Sequence, residues 1–202
     1  MLLFLLLFVS EMFIIVIRRV GLDYKDFIPR DEAYKSFLKY RKEVMDAADE
    51  GDFGGAFADV CEKAIEGDAV AQDVLAYFYN KGFDDFPPNF ENYMSWEILA
   101  GANGNEFALE KLQFFLDVGL NTIIYDDEVL KRAMIRGNVT KENAIPMISN
   151  LICEGMVDEL GLDPKNLVSI NHDASEYTPA KNRVFVNAME NCLDRVIEFL
   201  MS

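Results

Sequence analysis

A single histidine and three cysteines limit the chemistry open to this chain. His172 lies in Asn171-His172-Asp173, between turn-forming residues. Beside an acid such as Asp173 it could act as the base of a hydrolase. No serine stands in a GxSxG elbow to supply the nucleophile, however. A solvated loop histidine is the favoured reading, and hydrolysis through His172 is the alternative. Cys61, Cys153 and Cys192 are odd in number and show no CxxC, which speaks against a disulfide framework or a zinc site. Each falls in a helical pattern, so inert buried thiols are expected. The acid clusters Asp84-Asp85 and Asp126-Asp127-Glu128 lack the D-x-D-x-D-G order of a calcium loop. Solvated loop acids and helix-start charges are expected there. Gly51, Gly54 and Gly55 follow no strand and so do not form a phosphate-binding loop. Asn138-Val139-Thr140 fits a glycosylation sequon, a short and common motif. The expectation is a protein with no catalytic residues, metal or cofactor.

Charge narrows the partners. Lys plus Arg number 19 and Asp plus Glu 35, for a formal charge of −16. Phosphate affinity comes from Lys and Arg, so a nucleic-acid binder is not expected, and the same excess of acid opposes anionic lipid. A basic partner is permitted. With 51% apolar and 27% charged residues the chain is globular and not disordered. Its 202 residues suffice for one domain, or one domain with an appendage.

The appendage is residues 1–17, MLLFLLLFVSEMFIIVI, whose only polar members are Ser10 and Glu11; Arg18 and Arg19 come next. As a helix it would reach about 25 Å, slightly short of a bilayer core of ~30 Å. Basic residues after the apolar run would leave the remainder in the cytoplasm. A short membrane anchor is the leading reading. An atypical export signal is one alternative, although it lacks the leading Lys or Arg and the small residues of a cleavage site. A soluble element, with translation starting at Met12, is the other.

The elements that position side chains are helices. Asp31 can cap a helix through Phe37, Leu38 and Val44 to Gly51. Phe53, Ala56, Phe57, Val60, Cys61 and Ala64 form a second pattern ended by Gly67. A third spans 69–80 and ends at Gly82. Pro87 and Pro88 require a loop, after which a helix begins near Asn89 and carries Tyr93, Trp96 and Ala100. Such helices with short turns describe stacked hairpins. They also repeat: Ala71, Leu75, Tyr79 and Gly82 recur as Ala108, Leu112, Leu116 and Gly119 at a shift of 37, and Trp96 and Ala100 fall on Val60 and Ala64 at a shift of 36. Small residues admit close helix approach, large ones fill the groove, and glycine closes the turn.

The stretch from Gly51-Asp52 through Ala56, Ala64, Gly67-Asp68-Ala69, Ala71-Gln72, Leu75 and Tyr79 to Gly82 resembles the Sel-one-like repeat family, relatives of tetratricopeptide repeats. Asn89, Trp96, Ala100, Ala102, Gly104 and Ala108 continue the pattern, which covers about 51–119. Three positions depart from it: the inter-helix loop Phe83-Asp84-Asp85-Phe86-Pro87-Pro88 is not glycine-rich, Tyr93 replaces a small residue, and Ala76 stands where glycine is common. The resemblance implies an all-α fold, a right-handed α-solenoid of stacked helical hairpins. It also implies bacterial adaptors, regulators of signalling and secretion, and toxin-neutralising immunity proteins.

The rest of the chain matches less well. Asp126, Asp127 and Glu128 open a helix that could be a degenerate second helix of a hairpin. Asn143 is expected to cap a helix ending near Gly155, and 158–177 reads as a long irregular connection. Thr178-Pro179 starts a helix striped with Phe185, Met189, Cys192, Val196 and Leu200, expected to cap the array; partner binding or dimerisation is the sharper alternative. The chain thus divides into a hydrophobic segment 1–19, helical repeats 30–137, and a degenerate repeat with a capping helix 138–202. The expected function is a scaffold for a protein or peptide, with a basic partner expected from charge complementarity. Aromatics cluster around the proline loop, so Tyr77, Phe83, Asp84, Asp85, Phe86 and Tyr93 are the candidate contact patch.

Overall fold

The computed structural model describes residues 26–83, 87–135, 139–169 and 174–202. Residues 1–17, Asp84, Asp85, Phe86, Asn138, His172 and Asp173 lie outside the described residues, and with them the proposed anchor, part of the contact patch and the histidine. Among the described residues the regular elements are helices. They are α1 (Arg30–Asp49), α2 (Phe53–Ile65), α3 (Ala69–Lys81), α4 (Phe90–Ala102), α5 (Glu106–Ile124), α6 (Asp127–Ile135), α7 (Ala144–Leu160), α8 (Pro164–Ser169) and α9 (Pro179–Met201). No described helix is long and apolar enough to cross a membrane.

Caps set the helix starts. Asp52 accepts from Gly55 N, Asp68 from Val70 N and Ala71 N, Asn89 from Asn92 N, and Asn105 from Phe107 N and Ala108 N. These side chains satisfy donors that the helix leaves unpaired. The caps repeat as the core does: Asp52 to Asn89 and Asp68 to Asn105 are both shifts of 37. Gly51, Gly67, Gly82 and Gly104 end α1 to α4 at positive φ, which a side chain would oppose. Asp31 does not cap α1; Pro29 holds that position and Asp31 sits in the first turn. Proline there fixes the entry backbone, and an acid in the first turn still suits the helix dipole.

The repeated alanine and large apolar positions are core. Ala71, Leu75, Tyr79, Ala108, Leu112, Leu116, Val60, Ala64, Trp96 and Ala100 are buried, each large one contributing about 1.5–3 kcal/mol. Polar side chains fasten the turns between them. Gln72 donates to Ala64 O (3.0 Å) and accepts from Asn103 (2.9 Å), while Asn105 donates to Ala69 O (3.0 Å). Asn150 of α7 donates to Gly101 O (2.8 Å) and Ala102 O (2.9 Å), two carbonyls at the end of α4.

The order in space departs from the order in sequence. α4 packs against α3, α5 and α7, whereas α6 meets α5 and α9. Besides α3 and α5, the helix that packs on α4 is therefore α7, not the one opened by Asp126. Asp126 caps α6, accepting from Glu128 N and Val129 N, and Glu128 pairs with Arg132. Gly119 does not close a turn. α5 runs on to Ile124 because Leu116, Leu120 and Ile123 keep a buried stripe going. Gly119 instead marks a close approach, where a Cβ would lie 2.9 Å from Leu193 Cδ2. Likewise α7 passes Gly155 and ends at Gly161, which is left-handed. The connection after it is less irregular than its sequence: it holds α8, which touches α2, and then pairs with the start of α4. There Ser175 N donates to Pro88 O (3.0 Å) and Phe90 N to Ser175 O (2.7 Å). Ser175 Oγ bonds Glu91 and accepts from Lys181 (2.5 Å), clipping this strap to the starts of α4 and α9. α9 begins as expected at Thr178-Pro179 and packs on α5, α6 and α7.

Two glycines make opposite predictions. At Gly155 a Cβ would meet Cys192 Cβ at 2.8 Å, and that atom is fixed to the α9 backbone. Gly155→Ala is expected to destabilise by about 1–3 kcal/mol as α7 and α9 are pushed apart. At Gly54 a Cβ meets nothing within 4 Å, so Gly54→Ala is expected to stabilise by about 0.5–1 kcal/mol. Urea unfolding of the two variants checks both signs.

Candidate functional site

α3, α4 and α5 each place one charged side chain at a common junction. Asp73 interrupts the apolar face of α3, and Glu97 does the same in the run from Met94 to Ala102 of α4. Lys111 reaches in from α5. Its ammonium donates to Asp73 Oδ1 and to Glu97 Oε1. The two carboxylates are 0% and 1% exposed, and Lys111 is 26% exposed, so the acids are sealed and the lysine stem reaches the surface. The other oxygens, Asp73 Oδ2 and Glu97 Oε2, have no hydrogen-bond partner. Aromatic rings close the outer side. Lys111 Nζ lies 5.0 Å from the ring centre of Phe107 and 5.6 Å from that of Phe37, which α1 supplies. The two rings are 5.6 Å apart. A cation over ring faces is attracted to their π electrons, so the ammonium holds α1 as well as the two acids.

All three groups shift upward. Burial raises the Glu97 carboxyl to about 8, the nearby Asp73 charge adds to this, and Lys111 opposes it. Burial raises Asp73 too, against Lys111 and the Asn105 amide beside it. Burial would lower Lys111, but Glu97 and Asp73 raise it further, and the net direction is up. Two acids facing one base in a dry site disfavour a second negative charge.

The expected contact patch is divided. Tyr93 lies beside the triad, its hydroxyl pushed up by burial and by the charge of Glu97. Tyr77 is one ring removed, meeting Phe37 at 5.8 Å and lying under the guanidinium of Arg41 at 5.2 Å. Phe83 belongs elsewhere: it is half-buried and stacks on Phe53 at 4.6 Å, which gives this loop aromatic a packing partner. A different apolar surface is open. Phe107, Phe114 and Val118 lie along one side of α5 at spacings of seven and four, and Tyr125, the helical-conformation cap residue after α5, continues the line seven residues on. α1 covers the first; the other three are 93%, 61% and 82% exposed. Glu110 and Asp117 flank Phe114 on the same helix, both exposed.

The thiols are buried, and burial pushes Cys61 and Cys192 up to about 11 and Cys153 higher still, the opposite of activation. Sequence reasoning missed Asp73, Glu97 and Lys111. The signal was a lone acid inside each of two apolar helical runs.

Removing the one base exposes what the junction withstands. Lys111→Met is expected to destabilise by about 3–5 kcal/mol, since it leaves two buried acids unpaired. Replacing all three together (Asp73→Leu, Glu97→Met, Lys111→Met) is expected to recover most of that loss in urea unfolding. Comparison with protein-family models, curated proteins and solved structures finds no match for this chain.

Proposed function

We propose that the chain is a non-enzymatic scaffold, a right-handed α-solenoid that binds a basic protein or peptide on its helical surface. The observation that carries this reading is the exposed stripe of Phe114 and Val118 on α5 and Tyr125 at its carboxy-terminal cap, flanked by acids. A contiguous exposed apolar stripe marks interaction surfaces, and tyrosine is enriched at binding hot spots. Acid beside an apolar stripe complements an amphipathic segment with basic edges. The charge distribution supports the same partner. Residues 1–49 hold 8 basic and 8 acidic residues, whereas residues 50–202 hold 11 basic and 27 acidic. The whole −16 therefore belongs to the part that carries the stripe. The resemblance to Sel-one-like repeats supports an adaptor role of this kind.

The test is a comparison of two baits made from the full chain, one wild type and one carrying Phe114→Ser and Tyr125→Ser. A basic protein that the wild type retains from an extract of the source cells, and that the variant releases, supports the reading. Its association rate should fall at least about tenfold between low and physiological salt. Equal retention by both baits, or an association rate indifferent to salt, would overturn it.

A further inference from the structure

The junction of α3, α4 and α5 has more acid than base, and its geometry says how that excess is carried. Both carboxylates bond the same Lys111 ammonium, so their bonded oxygens are neighbours across one nitrogen. Both remaining oxygens are buried and unbonded. Fully ionised, the site would hold a net negative charge with two buried carboxylate oxygens that accept no hydrogen bond, the Asn105 amide being the neutral group beside Asp73. Such an arrangement is far more costly than a neutral one. Two carboxylates that crowd one site are known to ionise one at a time.

We propose that Asp73 and Glu97 hold one proton between them at neutral pH, so that with Lys111 they form a buried proton-binding site of zero net charge. The groups that face this site are few. From α5 come Lys111 and the neutral Asn105; from α4, the phenol of Tyr93; from α7, the thiol of Cys153, itself raised in part by Glu97. From α1 comes the Phe37 ring, with Arg41 directed to Phe37 and Tyr77. Lys111 alone supplies positive charge to the pair, and it is shared. The upward shift of all three members agrees with a cluster that keeps two protons, the ammonium's own and one more.

The effect of pH on stability has a definite sign. A free glutamate gives up its proton near 4.5, and the folded site keeps it to about 8. Folding therefore takes up a proton between these values. The stability it contributes is complete below the lower value and is lost as pH rises through the higher one. This is the reverse of an ordinary ion-paired carboxylate. Glu91 is one of those: the Ser175 hydroxyl, and then Lys181, hold it below its usual range.

The experiment measures urea unfolding of the full chain and of Glu97→Gln and Asp73→Asn from about pH 5 to about pH 8. Either amide removes the excess acid while keeping an oxygen for Lys111. The unfolding constant of the wild type, divided by that of either variant, is expected to rise by up to about tenfold per pH unit across this window. Division by the variant cancels the groups that are common to all three proteins. A ratio that stays flat, or falls, overturns the proposal. Infrared spectroscopy of the folded wild type at neutral pH tests it without any variant. A carboxylic-acid C=O band is expected where every exposed acid is ionised, and its absence overturns the proposal equally.

Discussion

Two buried carboxylates share one lysine, and the central part of this protein is organised around that arrangement. Asp73, Glu97 and Lys111 come from three successive helices, α3, α4 and α5. Each could be solvated by water if its helix moved away. None can do so while the helices remain packed. The ammonium also sits against Phe37 and Phe107, so the first described helix is drawn onto the same point. An apolar core of comparable size would hold these helices with equal or greater strength. What the triad adds is position: the three side chains meet only when the three helices are in register.

Around that point the fold is conventional in its means. Small residues let helices approach, caps close their starts, and glycines at positive φ turn the chain. Side-chain amides do a second job. Gln72, Asn105 and Asn150 each donate to backbone carbonyls at the terminus of another helix, and each ties two helices together in doing so. The later part of the chain reuses the same devices without the same order. α7 takes the place beside α4, and the strap clipped by Ser175 carries the chain back before α9 begins.

Much of the local structure was legible in the sequence. Gly51, Gly67 and Gly82 mark helix ends, and Asn89 and Thr178-Pro179 mark starts, because caps and turn glycines act within a few residues. Gly119 misleads because its alignment with Gly82 leaves out the next turn of the helix. Leu120 and Ile123 continue the buried stripe, and a helix with a face still to bury does not stop. The packing of Phe83 was not legible for a different reason: its stacking partner Phe53 lies at the start of α2, and no local pattern connects them. The charged junction was half legible. Asp73 and Glu97 stand out as acids within apolar runs, but Lys111 lies in an ordinary amphipathic helix. That the three meet depends on packing between hairpins, which spacing within a hairpin does not specify. The open stripe on α5 was hidden for the same reason, since the placement of α1, α4, α6, α7 and α9 around it decides which side of α5 remains in water.

The most direct measurement is a carbon-detected NMR titration of the Asp73 and Glu97 carboxyl carbons in the folded full chain. One protonated carboxyl shared by the pair at neutral pH, titrating far above the exposed acids, is the predicted result. Two carboxyl carbons already ionised at the pH where the surface acids ionise would contradict it.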